Sequence, residues 1–339
     1  MNLHPGLPTA PILQITKTSK RGSIARVPRA VILFNRVSLV VALTLGFSCS
    51  ARAENTAKRF ASLEEAVAAL QQATDLADTN ALMAILGPAA ENLQNPDRTQ
   101  STNELKAFSS ALGKTNRLVR VSDTFVVLEL GEDLWPFPIP IVQQDGAWFF
   151  DTEVGKDELL NRRIGNNELA ILPVMRAYVD AQREYASIDH DDDQVLEYAQ
   201  RLISSPGKHD GLYWPPDSVG GLSPLGPLVA YAQAEGYGPE LREEDEAERG
   251  PYQGYYFKIL TRQGKRAPGG KYNYVTNGNM IGGFAMVAWP AEYRSSGVVT
   301  FIVNQQGRVY QKDLGPATSR IAHKMSVYDL DPAWKISRE

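Results

Sequence analysis

The spacing of apolar residues changes from helical to alternating twice along this chain, and this double change constrains the fold more than any other feature. Ser62 and Glu65 match a capping box, in which two side chains satisfy backbone amides at a helix start. Apolar residues then recur at three- and four-residue steps as far as Gly113, which indicates three successive helices. Alternating segments follow at 118–121, 125–130, 138–142 and 147–150. This order predicts helices packed on one face of an antiparallel sheet, an α+β layer.

The same order recurs in the second half of the chain. A helical pattern runs from about residue 168 to 186, with Pro173 near its beginning. Because a proline inside a helix costs about 3 kcal/mol, we expect the helix either to begin near Leu172 or to kink there. An acidic loop and a short helix over 197–203 are predicted to follow. Four strands are predicted after them, at 255–260, 283–288, 298–303 and 309–312.

These two units predict two α+β domains, over residues 54–164 and 165–339. The first, with helices followed by a strand meander, resembles the cone-shaped nuclear-transport-factor-two fold. That resemblance is one of architecture and implies nothing about function. The charge-dense stretch 240–249 is predicted to be an exposed insertion within the second domain.

The first 53 residues differ in composition from the rest of the chain. They contain no Asp or Glu but seven Lys or Arg, and an apolar run follows Arg36 and ends shortly before Ala53. These features, with the small-x-small ending Ala51-Arg52-Ala53, are typical of a bacterial secretory signal, and the apolar run is too short to remain as a membrane span. We predict cleavage after Ala53 and a periplasmic or secreted location of the Gram-negative type. Cys49 offers the alternative of a lipid-modified cysteine, but the residues before it, Gly46 and Phe47, do not fit such a site.

Cleavage would leave a chain without cysteine and with a larger negative charge. The single cysteine lies in the segment removed, so disulfides and thiolate catalysis are excluded for the remainder. Removing seven of the 35 basic residues and none of the 39 acidic ones takes the formal net charge from −4 to −11. Phosphate recognition needs a basic footprint, so we predict no nucleic-acid partner.

A loop after the long helical pattern carries carboxylates at alternate positions, Asp189, Asp191 and Asp193, followed by Glu197. Ca²⁺ takes six to eight oxygen ligands, and helix–loop–helix calcium sites supply them from such a pattern. The sixth and twelfth positions, however, are glutamines where that motif has Gly and Glu. The sequence therefore leaves two readings open, a Ca²⁺ site formed by these four residues or a surface loop whose aspartates cap the next helix.

Histidines and aromatic residues suggest further candidates. His209 and Asp210 are adjacent and could form a proton-transfer pair, but adjacent residues rarely orient one another in this way, so a polar turn is the favoured interpretation. Together with Trp214, Tyr255 and Trp289 they define a possible ligand-binding surface. The alternative is that the aromatic side chains fill the core, as alternating aromatics on strands usually do.

Several long strings resemble a bacterial family known as domain of unknown function 2950. The segments that carry the resemblance are 132–140, 161–165, 177–185, 206–215 (Pro-Gly-Lys-His-Asp-Gly-Leu-Tyr-Trp-Pro), 282–290 and 300–304. The resemblance covers the chain from about Phe60 to Trp334 and implies an exported envelope protein, without an activity to carry over. In that family the acidic loop typically reads Asp-x-Asp-Gly-Asp-Gly, whereas Asp192 and Gln194 stand at the glycine positions here.

The second half also resembles the globular heads of pilins and secretion pseudopilins, some of which hold calcium in a loop. The uninterrupted apolar N-terminal helix of a pilin is missing, however, and a separate unit stands in its place.

Three functions are consistent with these patterns. The favoured hypothesis is a non-enzymatic module that binds an envelope protein or a cell-wall component. The alternatives are a carboxylate-dependent hydrolase of envelope polymers, whose acids would come from distant parts of the chain, and a calcium-stabilised, pilin-like component of a secretion assembly.

Overall fold

The computed structural model describes residues 57–216, 222–238 and 250–337. The predicted signal segment, with Cys49 and the cleavage site after Ala53, lies outside these residues, as does the predicted insertion 240–249. Within the described ranges, no helix is both long enough and apolar enough to cross a membrane.

The first half of the described chain contains helices followed by a meander, as predicted. The helices are Leu63–Asp75 (α1), Thr79–Leu86 (α2), Arg98–Lys114 (α3) and a short 3₁₀ helix at Pro88–Leu93. The strands are Asn116–Ser122 (β1), Phe125–Leu130 (β2), Trp135–Pro136 (β3), Ile141–Gln144 (β4) and Ala147–Phe150 (β5).

Local sequence signals explain where the first helices begin and end. Ser62 Oγ accepts from the amide of Glu65 at 3.1 Å, which confirms the first half of the capping box. The Glu65 carboxylate reaches back one residue further than that motif requires and accepts from the amide of Ala61 at 2.9 Å. Helix α2 ends at Gly87, whose φ of 73° is a left-handed conformation that glycine adopts without steric cost. The buried faces of these helices pack on an antiparallel sheet of order β1-β2-β4-β5, with β3 beside β2.

A 34-residue helix, Thr152–Tyr185 (α4), connects the two halves. It begins much earlier than the predicted residue 168 and runs through Pro173 instead of starting near Leu172. The proline is tolerated because it lies on the exposed side of the helix, where water can bind the carbonyl group that loses its intrahelical partner. Near its start, Gly155 allows close contact with the preceding loop, since a Cβ there would lie 2.4 Å from the carbonyl oxygen of Pro138.

The second half contains the larger core. Its other helices are Gly226–Ala234 (α5) and Thr318–Lys324 (α6). Its longer strands are Tyr255–Leu260 (β6), Ala285–Pro290 (β11), Val299–Asn304 (β12) and Tyr310–Asp313 (β13). Its two-residue strands are Arg262–Gln263 (β7), Tyr272–Asn273 (β8), Val275–Thr276 (β9), Asn279–Met280 (β10), Val327–Tyr328 (β14) and Lys335–Ile336 (β15).

An antiparallel sheet of order β15-β13-β12-β11-β6 organises this half. Strand β11 is buried along its whole length between β6 and β12, and both α4 and α6 contact it. A three-stranded sheet, β14-β7-β8, and the β9–β10 hairpin complete the half. With helices and antiparallel sheets in both halves, the fold is α+β, as predicted.

Two predicted features differ from the structure. The predicted short helix over 197–203 is absent, because Tyr198 and Ile203 instead form isolated bridges with Met280 and Tyr213. The predicted boundary at residue 164 falls inside α4, and the described residues after Arg52 form one compact unit with two hydrophobic clusters. The division into two independent domains therefore stays a prediction.

A buried polar network joins the helices of the first half to the second half. Asp97, 1% exposed, caps α3 by accepting from the amide of Gln100 at 2.9 Å. Its other carboxylate oxygen accepts from the amide of Gly254 at 3.0 Å and from the hydroxyl of Tyr237 at 2.9 Å. Burial, followed by the Asp97 carboxylate, raises the pKa of Tyr237 far above its ordinary value, so that this hydroxyl stays a donor.

The network continues into α4 and the second sheet. The side chain of Gln100 donates to Asn167 Oδ1 at 2.5 Å, and Asn167 Nδ2 donates to the carbonyl of Ser296 at 2.9 Å. A Cβ at Gly254 would lie 2.4 Å from Asn167 Nδ2, so the site requires glycine. Buried groups with their hydrogen bonds satisfied specify one arrangement of the elements they join.

We expect Asp97→Ala to lower the free energy of unfolding by about 3–5 kcal/mol, because three donors in the interior lose their acceptor. Asp78→Ala is a matched control: Asp78 caps α2 by accepting from the amide of Ala81 at 3.0 Å, but it is exposed. Asp78→Ala is expected to lower the free energy of unfolding by about 1 kcal/mol. Urea unfolding followed by circular dichroism measures both variants, and equal losses would contradict a role for burial.

Candidate functional site

The acidic loop follows the C-terminal end of α4. Carboxylate oxygens of Asp189, Asp191 and Asp193 lie within 4.8 Å of one another. Asp191 and Asp193 are exposed and Asp189 is partly buried. The alternate spacing therefore places three potential cation ligands together.

Hydrogen bonds within the loop hold this arrangement. Asp189 accepts from the amides of Asp191 at 3.3 Å and Gln194 at 2.8 Å, and Asp193 accepts from the amide of Val195 at 2.7 Å. Asp192 and Gln194 adopt φ values of 60° and 66°. Both values lie in the left-handed region, which glycine favours, although side chains are present here.

The pKa values of two neighbouring carboxylates, Asp189 and Asp191, are shifted in opposite directions. Partial desolvation, followed by the charge of Asp193, raises the pKa of Asp191 above its ordinary value. Desolvation would also raise the pKa of Asp189, but the hydrogen bonds from the Gln194 and Asp191 amides outweigh it and the pKa is lowered. A cation at the loop would relieve the repulsion on Asp191.

Glu197, the fourth predicted ligand, occupies a different position. Its carboxylate accepts from the amide of Met280 at 2.9 Å, and it does not belong to the group of three carboxylates. The hydrogen bond from Asn279 Nδ2 to Asp193 at 2.6 Å reaches the same β9–β10 hairpin. Glu197 thus anchors the loop to the hairpin. Because no helix follows the loop, the aspartates cap no helix, and the alternative of a plain surface loop stays a prediction.

A cluster of rings lies beside the loop and includes the predicted residues His209 and Trp214. The His209 ring stacks on Trp214 with a centroid separation of 4.3 Å. His190, from the acidic loop itself, stacks on Tyr185 at 4.0 Å and contacts Trp214 edge-on at 5.6 Å. Trp214 and Tyr185 are buried, whereas both imidazoles are partly exposed. His190 could not be assigned to this cluster from the sequence, because the 18 residues between it and His209 form no recognisable spacing.

Burial lowers the pKa of His190, and the nearby His209 lowers it further, while a hydrogen bond to the carbonyl of Tyr185 acts in the opposite direction. The imidazole of His190 therefore favours the neutral form at neutral pH.

Asp210 does not pair with its neighbour as a proton-transfer group would. Its two oxygens accept from the amide and the hydroxyl of Ser205, each at 2.7 Å. Burial would raise the pKa of Asp210, but the bonds from Ser205, with the charges of Arg201 and Lys208, lower it. The carboxylate therefore stabilises the turn that carries His209.

The last two predicted surface residues lie in the core. Tyr255 is fully buried and donates to the carbonyl of Val299 at 3.0 Å, and Trp289 is 2% exposed and packs against Tyr256. These two aromatic residues hold the sheet together and are not part of an exposed surface, because their neighbours on β6, β11 and β12 cover them.

We expect Asp210→Asn to lower the free energy of unfolding near neutral pH by on the order of 1 kcal/mol, because a charge-assisted acceptor is lost. The folded pKa of Asp210 is below its ordinary value of 3.8, so the stabilisation is present above pH 3.8 and disappears as the pH falls through the folded pKa. Urea unfolding of both proteins at several pH values tests this. A difference that stays constant at all pH values would contradict it, and the exposed Asp133→Asn serves as control.

No curated protein and no solved structure is significantly similar to the chain. The profile of one family matches residues 57–336, a range that contains both cores, the acidic loop and the ring cluster. The match confirms the resemblance found in the sequence, while the resemblance to pilin heads stays a prediction. The chain belongs to the family described as "Protein of unknown function (DUF2950)".

Proposed function

We propose that this protein is exported to the cell envelope and acts there as a non-enzymatic binding module for an envelope protein or a cell-wall component. The observation that carries the proposal is the adjacency of three converging carboxylates and a partly exposed ring cluster, His190, His209 and Trp214.

The chemistry of this surface suits recognition of a polar ligand. The partly exposed rings of His190 and His209 give a sugar or a peptide side chain a flat face to stack on, and the carboxylates of the acidic loop supply acceptors beside it. Trp214 is buried below His209, and Tyr185 donates to the carbonyl of His209 at 2.8 Å, so the imidazole is supported from beneath. A surface held in place before binding loses little conformational entropy on binding.

Within this proposal, Ca²⁺ binds the acidic loop and fixes the loop against the β9–β10 hairpin. Asp189, Asp191 and Asp193 supply oxygen ligands, and backbone carbonyls and water would supply the remainder of the six to eight that Ca²⁺ requires. Glu197 acts indirectly, through its bond to Met280. The ion would therefore order the loop that carries His190.

We expect Ca²⁺ to raise the melting temperature of the chain from Glu54 onward. An ion at a hundred times its dissociation constant stabilises the native state by about 2.7 kcal/mol, which corresponds to roughly 5–10 °C for a chain of this size. Differential scanning calorimetry in EDTA, and then in millimolar Ca²⁺ or Mg²⁺, measures the shift.

Asp191→Ala/Asp193→Ala should abolish the Ca²⁺-dependent shift. Asp123→Ala/Asp133→Ala removes the same charge from exposed positions outside the loop and should retain it. No shift in the parent protein, or equal loss in both variants, would show that the loop is not a specific cation site.

The proposed export to the periplasm leads to a separate prediction. Expressed with its leader in a Gram-negative host, the protein should accumulate in the periplasm with Glu54 as its first residue, and Ala53→Arg should block processing because the cleavage site requires a small residue. N-terminal sequencing and cell fractionation give the readout. Unprocessed protein in the cytoplasm would contradict the proposal.

A further inference from the structure

Basic residues are segregated into two segments of this acidic chain. Residues 250–291 contain five Lys or Arg and no Asp or Glu, and residues 314–328 contain Arg320, His323 and Lys324, again with no acidic residue. The whole chain has a formal net charge of −4, so the positive charge of both segments is opposite in sign to that of the chain.

The fold places these two segments side by side. Strand β14 pairs with β7 in parallel, with Val327 opposite Arg262, and the Arg262 guanidinium donates to Ser326 Oγ at 3.3 Å. Lys258 Nζ donates to the carbonyl of His323 at 2.6 Å. Strand β8 pairs with the other side of β7. We call the resulting surface the basic edge, and its cations are Arg262, Lys265, Arg266, Lys271, Arg320 and Lys324.

Among the residues that the structure describes, most of the charge on the basic edge has no compensating carboxylate. Arg266 pairs with Asp329 at 3.2 Å. Within the described ranges no carboxylate forms an ion pair with the other five cations, and all six are exposed. Exposed like charges that repel one another cost stability, so such a surface indicates an anionic partner.

Apolar side chains accompany these cations. Ile321 is 39% exposed between Arg320 and Lys324 on α6, and Tyr272 is 37% exposed directly after Lys271. A soluble polyanion gains little from an exposed isoleucine. A lipid surface does, because isoleucine and tyrosine can enter the headgroup layer while lysine and arginine attract the phosphates.

We infer that the basic edge is a membrane-contact surface, which holds the protein peripherally on a phospholipid bilayer that contains anionic headgroups. The attraction acts within about 10 Å at moderate salt, so the distribution of charge on this surface decides binding and the net charge of the chain does not. The inference depends neither on a cation in the acidic loop nor on a ligand at the ring cluster.

The test is sedimentation of the chain from Glu54 onward with vesicles of equal parts phosphatidylglycerol and phosphatidylcholine, after calorimetry has shown that this chain unfolds cooperatively. We expect binding that weakens as salt rises, and no binding to phosphatidylcholine alone. Each lysine near an anionic surface contributes about fivefold to the partition coefficient, so Lys265→Gln/Lys271→Gln should reduce it roughly 30-fold.

Lys106→Gln/Lys114→Gln on α3 is the matched control, since it makes the same change in net charge at exposed lysines elsewhere. It should bind as the parent protein does. Three outcomes would overturn the inference: no binding to anionic vesicles, equal loss in both variants, or binding to heparin without binding to vesicles. Ile321→Ser should also weaken vesicle binding, which a purely ionic contact would not predict.

Discussion

The buried carboxylate of Asp97 is the interaction on which the arrangement of the two cores depends. An isolated charge in the interior is costly, and its three hydrogen bonds exist only when α3, the segment around Tyr237 and the start of β6 are correctly placed. Asn167 of α4 extends the same set of bonds to Ser296. Hydrophobic clusters on either side supply most of the stability, while these polar groups select one relative placement of the clusters.

Much of the fold could be predicted because local signals and burial agree. Strands 125–130, 147–150 and 255–260 were predicted with the observed bounds, since each is a short apolar or alternating run beside a clear turn. The start of α4 could not be predicted, because residues 152–167 carry few apolar side chains and no helical stripe. The absent helix at 197–203 shows the opposite effect, in which pairing with Met280 and Tyr213 overrides helical spacing.

Within the candidate site, local sequence patterns could predict some residues, whereas the roles of others depend on contacts with distant parts of the chain. Alternate carboxylates at 189, 191 and 193 are a local pattern, and the structure brings them together. The role of Glu197 depends on a hairpin 83 residues further along the chain, and the contact of His190 with Trp214 depends on the packing of two loops. Tyr255 and Trp289 could not be distinguished from surface aromatics by sequence, because only the neighbouring strands determine their burial.

The left-handed backbone at Asp192 and Gln194 has a consequence for the energetics of the acidic loop. Each non-glycine residue in this conformation costs about 1 kcal/mol. Hydrogen bonds from the amides of Asp191, Gln194 and Val195 to the loop carboxylates already hold the backbone in this geometry without a cation. The strain is therefore a cost of folding, and it leaves the carboxylates gathered before any ion arrives.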